Sequence, residues 1–364
     1  MRILELLEAI PDPRQAGKVV HNLSAILFTT LCAVVCGAES WSDVADYCET
    51  KFEWLRLYVN LDGGVPTEWT YRRVFTLIKP EFLEQLLTCH AKTLLNTEEE
   101  QHIAIDGKAL RGSQRHNLRC LHSISAMCHE SGIILSEAAV NEKSNEITAI
   151  PLLLEVLELK GNTVTIDAAG CQQNIVKTIV ERQGYYVLGL KKNQRKLHEK
   201  ISTYMQCHGI QPEYRLEDEF DMGHGRRVRR RYFACNIEHL PGADQWPGLK
   251  TAIATETIRQ VANTGEVRAE WRYYITNHDA SNSKLPQMVR NHWGIENKVH
   301  WVLDVHMNED RDRKAEQNSA KAFRVFKRMT LNIARSKETK PKQSLRRKLK
   351  CAGWSEDALL HLLS

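Results

Sequence analysis

Between Ile103 and Leu190 the apolar residues come in short runs bounded by turns, a spacing that leaves few folds open. Ile103 to Asp106, Leu121 to Cys128 and Gly132 to Val140 read as three successive strands, the last two joined by a His-Glu-Ser-Gly turn. Ile147 to Leu159 takes helical spacing and opens around Pro151. Thr163 to Asp167 is again a short strand ending in a carboxylate, Gln172 to Arg182 a helix and Tyr185 to Leu190 a strand. Three strands in a row followed by alternating helices and strands predict an α/β domain, a mixed sheet flanked by helices.

The flanks read differently. Residues 1–96 are mostly helical: a short opening helix ended by Pro11 and Pro13, an apolar helix from Leu23 to about Gly37, and further helices from Trp41 and Thr67. Asn96 to Glu100 is a polar linker. The first part of the sheet domain then occupies 101–194. Residues 195–285 are polar and hold the basic run Arg226 to Arg231 with strand-like segments at Tyr232–Asn236, Ala252–Arg259 and Glu270–Thr276, which makes them a mostly β insertion. A helical segment, 286–312, carries Glu296, and 313–364 is a basic helical tail.

The uncharged stretch Leu23 to Ala38 is shorter than the roughly 20 residues that cross a bilayer, so no membrane anchor is expected and the helix is read as buried. Ten cysteines without a paired C-x-x-C indicate buried thiols in a reducing cytoplasm. Charge is unevenly spread. Residues 1–100 hold nine Lys/Arg against fifteen Asp/Glu, whereas 311–364 hold fifteen against five, a net of about +10. Such a tail suits a polyanion, with Lys327 and Arg328, beside Arg324 and Arg335, as candidate phosphate contacts.

Asp106 and Asp167 end two predicted strands. From Val289 to Asp310 the apolar residues Val289, Ile295, Val299, Val302 and Leu303 form one helical stripe, and Glu296 lies at its edge, pressed toward the core. Three carboxylates meeting there would need cations, and oxygen-only donors suit Mg²⁺ or Mn²⁺. Two such ions can activate a water or a 3′-hydroxyl in phosphodiester chemistry. With 45 acidic residues in the chain, spacing alone leaves many other triples open.

Several ordered motifs narrow the choice: Ala104-Ile105-Asp106-Gly107-Lys108, Asn141 to Pro151, Thr165 to Gln172, Leu190 to Gln194, Arg290 to Asp310, and Ile10 to Arg14 near the start. Together they resemble the DDE transposases of bacterial insertion sequences, in the branch of the H-repeat-associated proteins. The resemblance runs over essentially the whole chain. It implies a ribonuclease-H-like catalytic domain interrupted by the β insertion, with Asp106, Asp167 and Glu296 as catalytic and metal-binding triad. It also implies two Mg²⁺ or Mn²⁺ ions per site, cutting and strand transfer at the element's own ends, and a homodimer or higher multimer assembled on DNA. The place of action would be the bacterial cytoplasm, at the nucleoid, with the N-terminal helices binding the DNA ends. Related transposases carry Tyr-x₂-Arg-x₃-Glu-x₆-Lys around the glutamate; here those places hold Val289, His292 and Leu303.

Further candidate DNA contacts are Lys108, Lys191, Asn193, Gln194, Arg290 and Lys298, together with Arg227, Arg229 and Arg231 on one face of an extended strand. Two functional classes stand at this point. One is a metal-dependent polynucleotidyl transferase; the other is a DNA-binding protein of the same fold whose chemistry has lapsed or been repurposed.

Overall fold

A computed structural model describes the chain except residues 1, 96–98, 111–120, 141–145, 224–225, 262–264, 312–316 and 342. Most of the polar linker at 96–100 and the first five residues of the motif at 141–151 therefore lie outside the described residues. Six helices open the chain: α1 Arg2–Glu8, α2 Leu23–Val35, α3 Trp41–Thr50, α4 Phe52–Leu55, α5 Glu68–Leu77 and α6 Pro80–Leu94. Three strands come next, β1 His102–Leu110, β2 Leu121–Cys128 and β3 Ile134–Val140. Then come α7 Glu146–Val156, β4 Thr163–Ile166, α8 Gln173–Glu181, β5 Tyr185–Leu190 and α9 Arg195–Tyr204. The strands β6 Arg215–Gly223, β7 Arg226–Asn236, β8 Thr251–Val261 and β9 Val267–Thr276 precede α10 Leu285–Asn291 and α11 Trp301–Met307. The chain closes with α12 Gln317–Ser336, α13 Leu345–Trp354 and α14 Glu356–Leu363. None of the described helices is long and apolar enough to cross a membrane.

The chain forms two compact units. Unit 1 comprises 1–97, 107–143 and 296–364; unit 2 comprises 98–106 and 144–295. In unit 2 the strand order is β1-β4-β5-β9-β8-β7-β6. The pairs β1–β4 and β4–β5 are parallel, and β5–β9, β9–β8, β8–β7 and β7–β6 are antiparallel. The β segment expected as an insertion thus extends the sheet through β9. Every residue of β4, Thr-Val-Thr-Ile, is buried, as befits an internal parallel strand covered on both faces.

Two elements of this region are not placed by the sequence reading, which gives 195–285 only as mostly β. Residues 195–204 form helix α9. Residues 215–223 form β6, although Glu217, Asp218, Glu219 and Asp221 make them look like a solvated loop. The strand holds because β7 answers it with arginines. Arg229 grips Asp218 through two hydrogen bonds of 2.9 and 2.7 Å, and Arg230 lies 3.8 Å from Glu219.

Unit 1 is built around α12. Helix α2 is buried at all but one of its thirteen positions. It stops where Gly37 takes φ +104°, a left-handed cap that a side chain would strain. Trp41 stacks on Phe75 at 4.6 Å, meets Phe323 edge-on at 5.0 Å, and donates its indole N–H to Ser319 at 2.7 Å. In this unit the strand order is β3-β2-β1. Asn332 of α12 satisfies both the N–H and the C=O of Ile134 at 2.8 Å, so one amide side chain does the work of a neighbouring strand.

Candidate active site

Strands β1 and β4 run parallel with His102 opposite Thr163 and Ile105 opposite Ile166. The next residues in that register are Asp106 and Asp167. Side chains alternate along a strand, so Asp106 shares a face with His102 and Ala104, and Asp167 continues the face of Thr163 and Thr165. Neighbouring strands lie about 4.8 Å apart. Two carboxylates therefore stand side by side where β4 ends and its parallel pairing with β1 stops, Asp106 lying in the middle of β1 and not at its end as the sequence suggested. Asp167 is exposed and Asp106 half-buried. Asp167 also caps the turn after it, Oδ1 accepting from the Ala169 N–H at 3.0 Å.

His292, just past α10, belongs to this cluster. Burial pushes its pKa down, while the charges of Asp106 and Asp167 pull it back up, and burial prevails. A neutral imidazole facing two carboxylates is the result. Its Nδ1 shares a hydrogen bond with Thr165 Oγ1 at 3.2 Å, and the same hydroxyl is 2.8 Å from His102 Nε2. One threonine on β4 thus holds a histidine on either side. Sequence reading missed this role, because Thr163 and Thr165 alternating with Val164 and Ile166 read only as strand formers.

The turn after Asp167 is held from β5 and the segment beyond it. Asn193 Nδ2 donates to Ala168 O, and Gln194 Nε2 to Cys171 O at 2.9 Å. Expected as phosphate contacts, these two amides instead bind the backbone that carries Asp167. Lys191, beside them, is exposed.

Glu296 belongs to unit 1, and the chain passes into that unit immediately before it, as it does immediately after Asp106. It was expected to press on the core, but it is exposed. Val289, Ile295, Val299 and Leu303 are buried as their spacing foretold, and Val302 is half-buried. The helix is not continuous, however. A turn comes after Asn291, and Glu296–His300 form a π-helical turn. A π turn adds a residue and rotates every later side chain about the axis, so a wheel drawn at one pitch misplaces the boundary residues.

Most of the basic candidates are already engaged. Lys108 pairs with Asp304 and, at 3.0 Å, with Glu309. Arg290 pairs with Glu219 at 2.7 Å and Glu217 at 3.3 Å. Arg231 pairs with Glu256 and Arg229 with Asp218, on a strand flanked on both sides, and Arg227 of the same strand is exposed. Lys298 donates to the His129 carbonyl at 2.7 Å. The tail arginines correct the expectation most sharply. Arg328 is wholly buried, and Arg324 and Lys327 are 5% and 2% exposed. Arg324 and Arg328 pair with Glu137 of β3 and with Glu309, while Arg335 donates to the carbonyls of Gly132 and Lys298. These side chains cannot form an open phosphate track, because packing α12 into unit 1 turns them inward.

The aspartate pair offers oxygen donors only, the chemistry that Mg²⁺ and Mn²⁺ accept. Among the described residues no group of three or more His, Cys, Asp or Glu stands ready to hold an ion. The family model for the transposase DDE domain matches residues 97–333, and the DDE_Tnp_1-associated model matches residues 4–91. The chain belongs to the DDE transposase family. Its relatives include the putative transposase YncI of Escherichia coli O157:H7, 38% identical over 92% of this chain and 87% of that one. The H repeat-associated putative transposase YhhI of Escherichia coli K12 is 34% identical over 100% of this chain and 98% of its own length. A solved synaptic complex of piggyBac transposase with hairpin DNA is similar at 10% identity and a TM-score of 0.46, over all of this chain and 79% of that one. That likeness is too loose to bear on chemistry.

Proposed function

We propose that this member of the transposase family cuts and transfers DNA strands at the ends of its own insertion sequence, using divalent metal ions. The observation that carries the reading is the pair Asp106 and Asp167, side by side where the parallel pairing of β1 and β4 stops, with His292 beside them. The strand orders β3-β2-β1 and β1-β4-β5, with the last two pairs parallel, support a ribonuclease-H-like frame. Asp106 and Asp167 hold the metal, Mg²⁺ or Mn²⁺, with Glu296 as the third acid by its place in the matched motif. Once bound, a pair of such ions supplies an activated water or 3′-hydroxyl and steadies the leaving oxygen. The protein's own part is to fix the acids: Asn193 and Gln194 brace the Asp167 turn, and Thr165 holds in place a His292 that burial keeps neutral. The partner is DNA, and the working form is a homodimer or larger multimer on it, in the bacterial cytoplasm at the nucleoid.

A lapsed or repurposed DNA binder is the second reading. What favours it is that Val289 and Leu303, at the places of the family's tyrosine and lysine, are 5% and 0% exposed and belong to the core. Nicking of a duplex carrying the DNA that flanks the gene decides between the two. The transposase reading expects Mg²⁺-dependent nicks at fixed positions that EDTA stops. DNA binding without nicks in either Mg²⁺ or Mn²⁺ would establish the second reading.

The brace on Asp167 gives a finer test. A Cβ on Gly189 of β5 would lie 3.1 Å from the Ala168 nitrogen and 3.4 Å from the Asp167 carbonyl carbon, both backbone atoms. Gly189→Ala should therefore shift the Asp167 turn by a few tenths of an ångström. Misplacement of that kind is expected to slow nicking roughly ten- to hundred-fold, with DNA affinity unchanged. Full nicking by the variant would show that the turn does not position the reacting groups.

A further inference from the structure

A cavity of about 160 Å³ opens in unit 1 between the end of α2, the end of α11 and one face of α13. Its walls divide by chemistry. Lys327, Arg346 and Lys350 bring three cations, and Met307 and Leu349 supply apolar surface. The sequence arranges this simply. Arg346, Leu349 and Lys350 stand at i, i+3 and i+4 and so share one face of α13. Arg346 and Lys350 are exposed, whereas Lys327 is 2% exposed, its ammonium 5.6 Å from the Phe323 ring centre. Glu39, the carboxylate among the described lining residues, accepts from Asn308 Nδ2 at 2.6 Å. His306 also lines the space, and its buried Nδ1 lacks a hydrogen-bond partner among the described residues.

We propose that this cavity receives one phosphate of a bound DNA strand. Size excludes anything much larger: about 150 Å³ holds a group the size of benzene, which is too little for a nucleotide with its base or for a folded peptide. The exposed cations Arg346 and Lys350, against Glu39 as the carboxylate among the described lining residues, select an anion. Position agrees, on the proposed reading of Glu296 as an active-site acid. His306 and Met307 come ten and eleven residues after Glu296 within the same unit. At about 1.5 Å per helical residue that is roughly 15 Å, or some four to five nucleotide steps at about 3.4 Å each. The cavity thus lies a short way along unit 1 from Glu296. It also explains where the tail's charge acts once Arg324 and Arg328 are accounted for inside the unit: through the exposed cations of α13.

The test uses the full chain, a short labelled duplex and fluorescence anisotropy over a salt series. The variant carries Arg346→Glu and Lys350→Glu, two exposed positions, with its thermal melt compared to that of the native chain to verify folding. Affinity should fall about tenfold or more, and the log–log salt slope should become shallower by roughly 1. Replacing single phosphates by neutral methylphosphonate, one position at a time, should weaken the native chain at one site and leave the variant indifferent there. Unchanged affinity and slope in the variant, with the native chain still binding, would overturn the cavity assignment alone. A native chain that binds no duplex would overturn both this and the transposase reading. A shallower slope with no single sensitive phosphate would make α13 a diffuse basic surface and so refute the cavity. Inorganic phosphate that displaces the duplex at millimolar concentration would reassign the cavity to the free ion.

Discussion

Asp106→Asn is expected to abolish strand cleavage, a loss on the order of a thousand-fold or more, while leaving the fold and DNA affinity intact. A ligand to a catalytic metal contributes several kcal/mol to the transition state, and each 1.4 kcal/mol is tenfold in rate. The fold should tolerate the change because Asp106 and Asp167 stand side by side on neighbouring strand positions. Neutralising one removes a repulsion between like charges. DNA affinity should persist because phosphate contacts and metal ligands are different groups. Metal binding gives a readout independent of turnover. A cation that binds only the folded chain raises its melting temperature, so Mg²⁺ should stabilise the native chain and stabilise Asp106→Asn much less. Nicking at the native rate by the variant, with an undiminished Mg²⁺ shift, would remove Asp106 from the site.

How much of this could be read from residues varied with their surroundings. The central strands were legible because β4 and β5 are apolar runs of four to six residues between turn signals. That also placed Asp167 just past a strand end, whereas β1 runs on beyond Asp106 to Leu110. Strand β6 was hidden because its stability lies in charge pairing with a partner strand, which no local pattern records. Glu296 was misjudged for a different reason: the apolar stripe is real, but a π turn shifts the phase at the residue in question. The tail misled through its composition. Fifteen basic residues suggest a surface, yet Arg324 and Arg328 are spent inside the unit, since two carboxylates distant in sequence, Glu137 and Glu309, meet them there. Long-range pairing of this kind leaves no trace in spacing. Nor does the bridge made by Thr165, whose partners lie 63 and 127 residues away.

The buried charges make Glu309 the residue on which unit 1 should prove most sensitive. Its carboxylate is 2% exposed, accepts from Lys108 Nζ at 3.0 Å, and pairs with the wholly buried Arg328. Arg324 lies 3.8 Å away and itself pairs with Glu137. Burial alone would raise the pKa of Glu309, but the charges of Arg328 and Lys108, with their hydrogen bonds, outweigh it and hold the value at about 2. Burial, with Arg328 close by, drives the Arg324 pKa well down. Glu309→Gln keeps the shape and removes the charge, leaving Arg324 and Arg328 to share the single carboxylate of Glu137. Breaking such a pair costs about 3–5 kcal/mol, to be read as a lower urea midpoint at constant slope. Because the folded pKa lies below the ordinary carboxylate value, the contribution of Glu309 is present in full above about pH 4.5 and is lost as pH falls toward 2. The native chain should therefore lose stability across that window, and Glu309→Gln should lose less. Adding Arg328→Met to Glu309→Gln should return part of the loss, since the second change removes the stranded charge. If Glu309→Gln unfolds at the native urea midpoint, the network contributes nothing to the fold, and the attachment of α12 to β1 and β3 must rest on its apolar face alone.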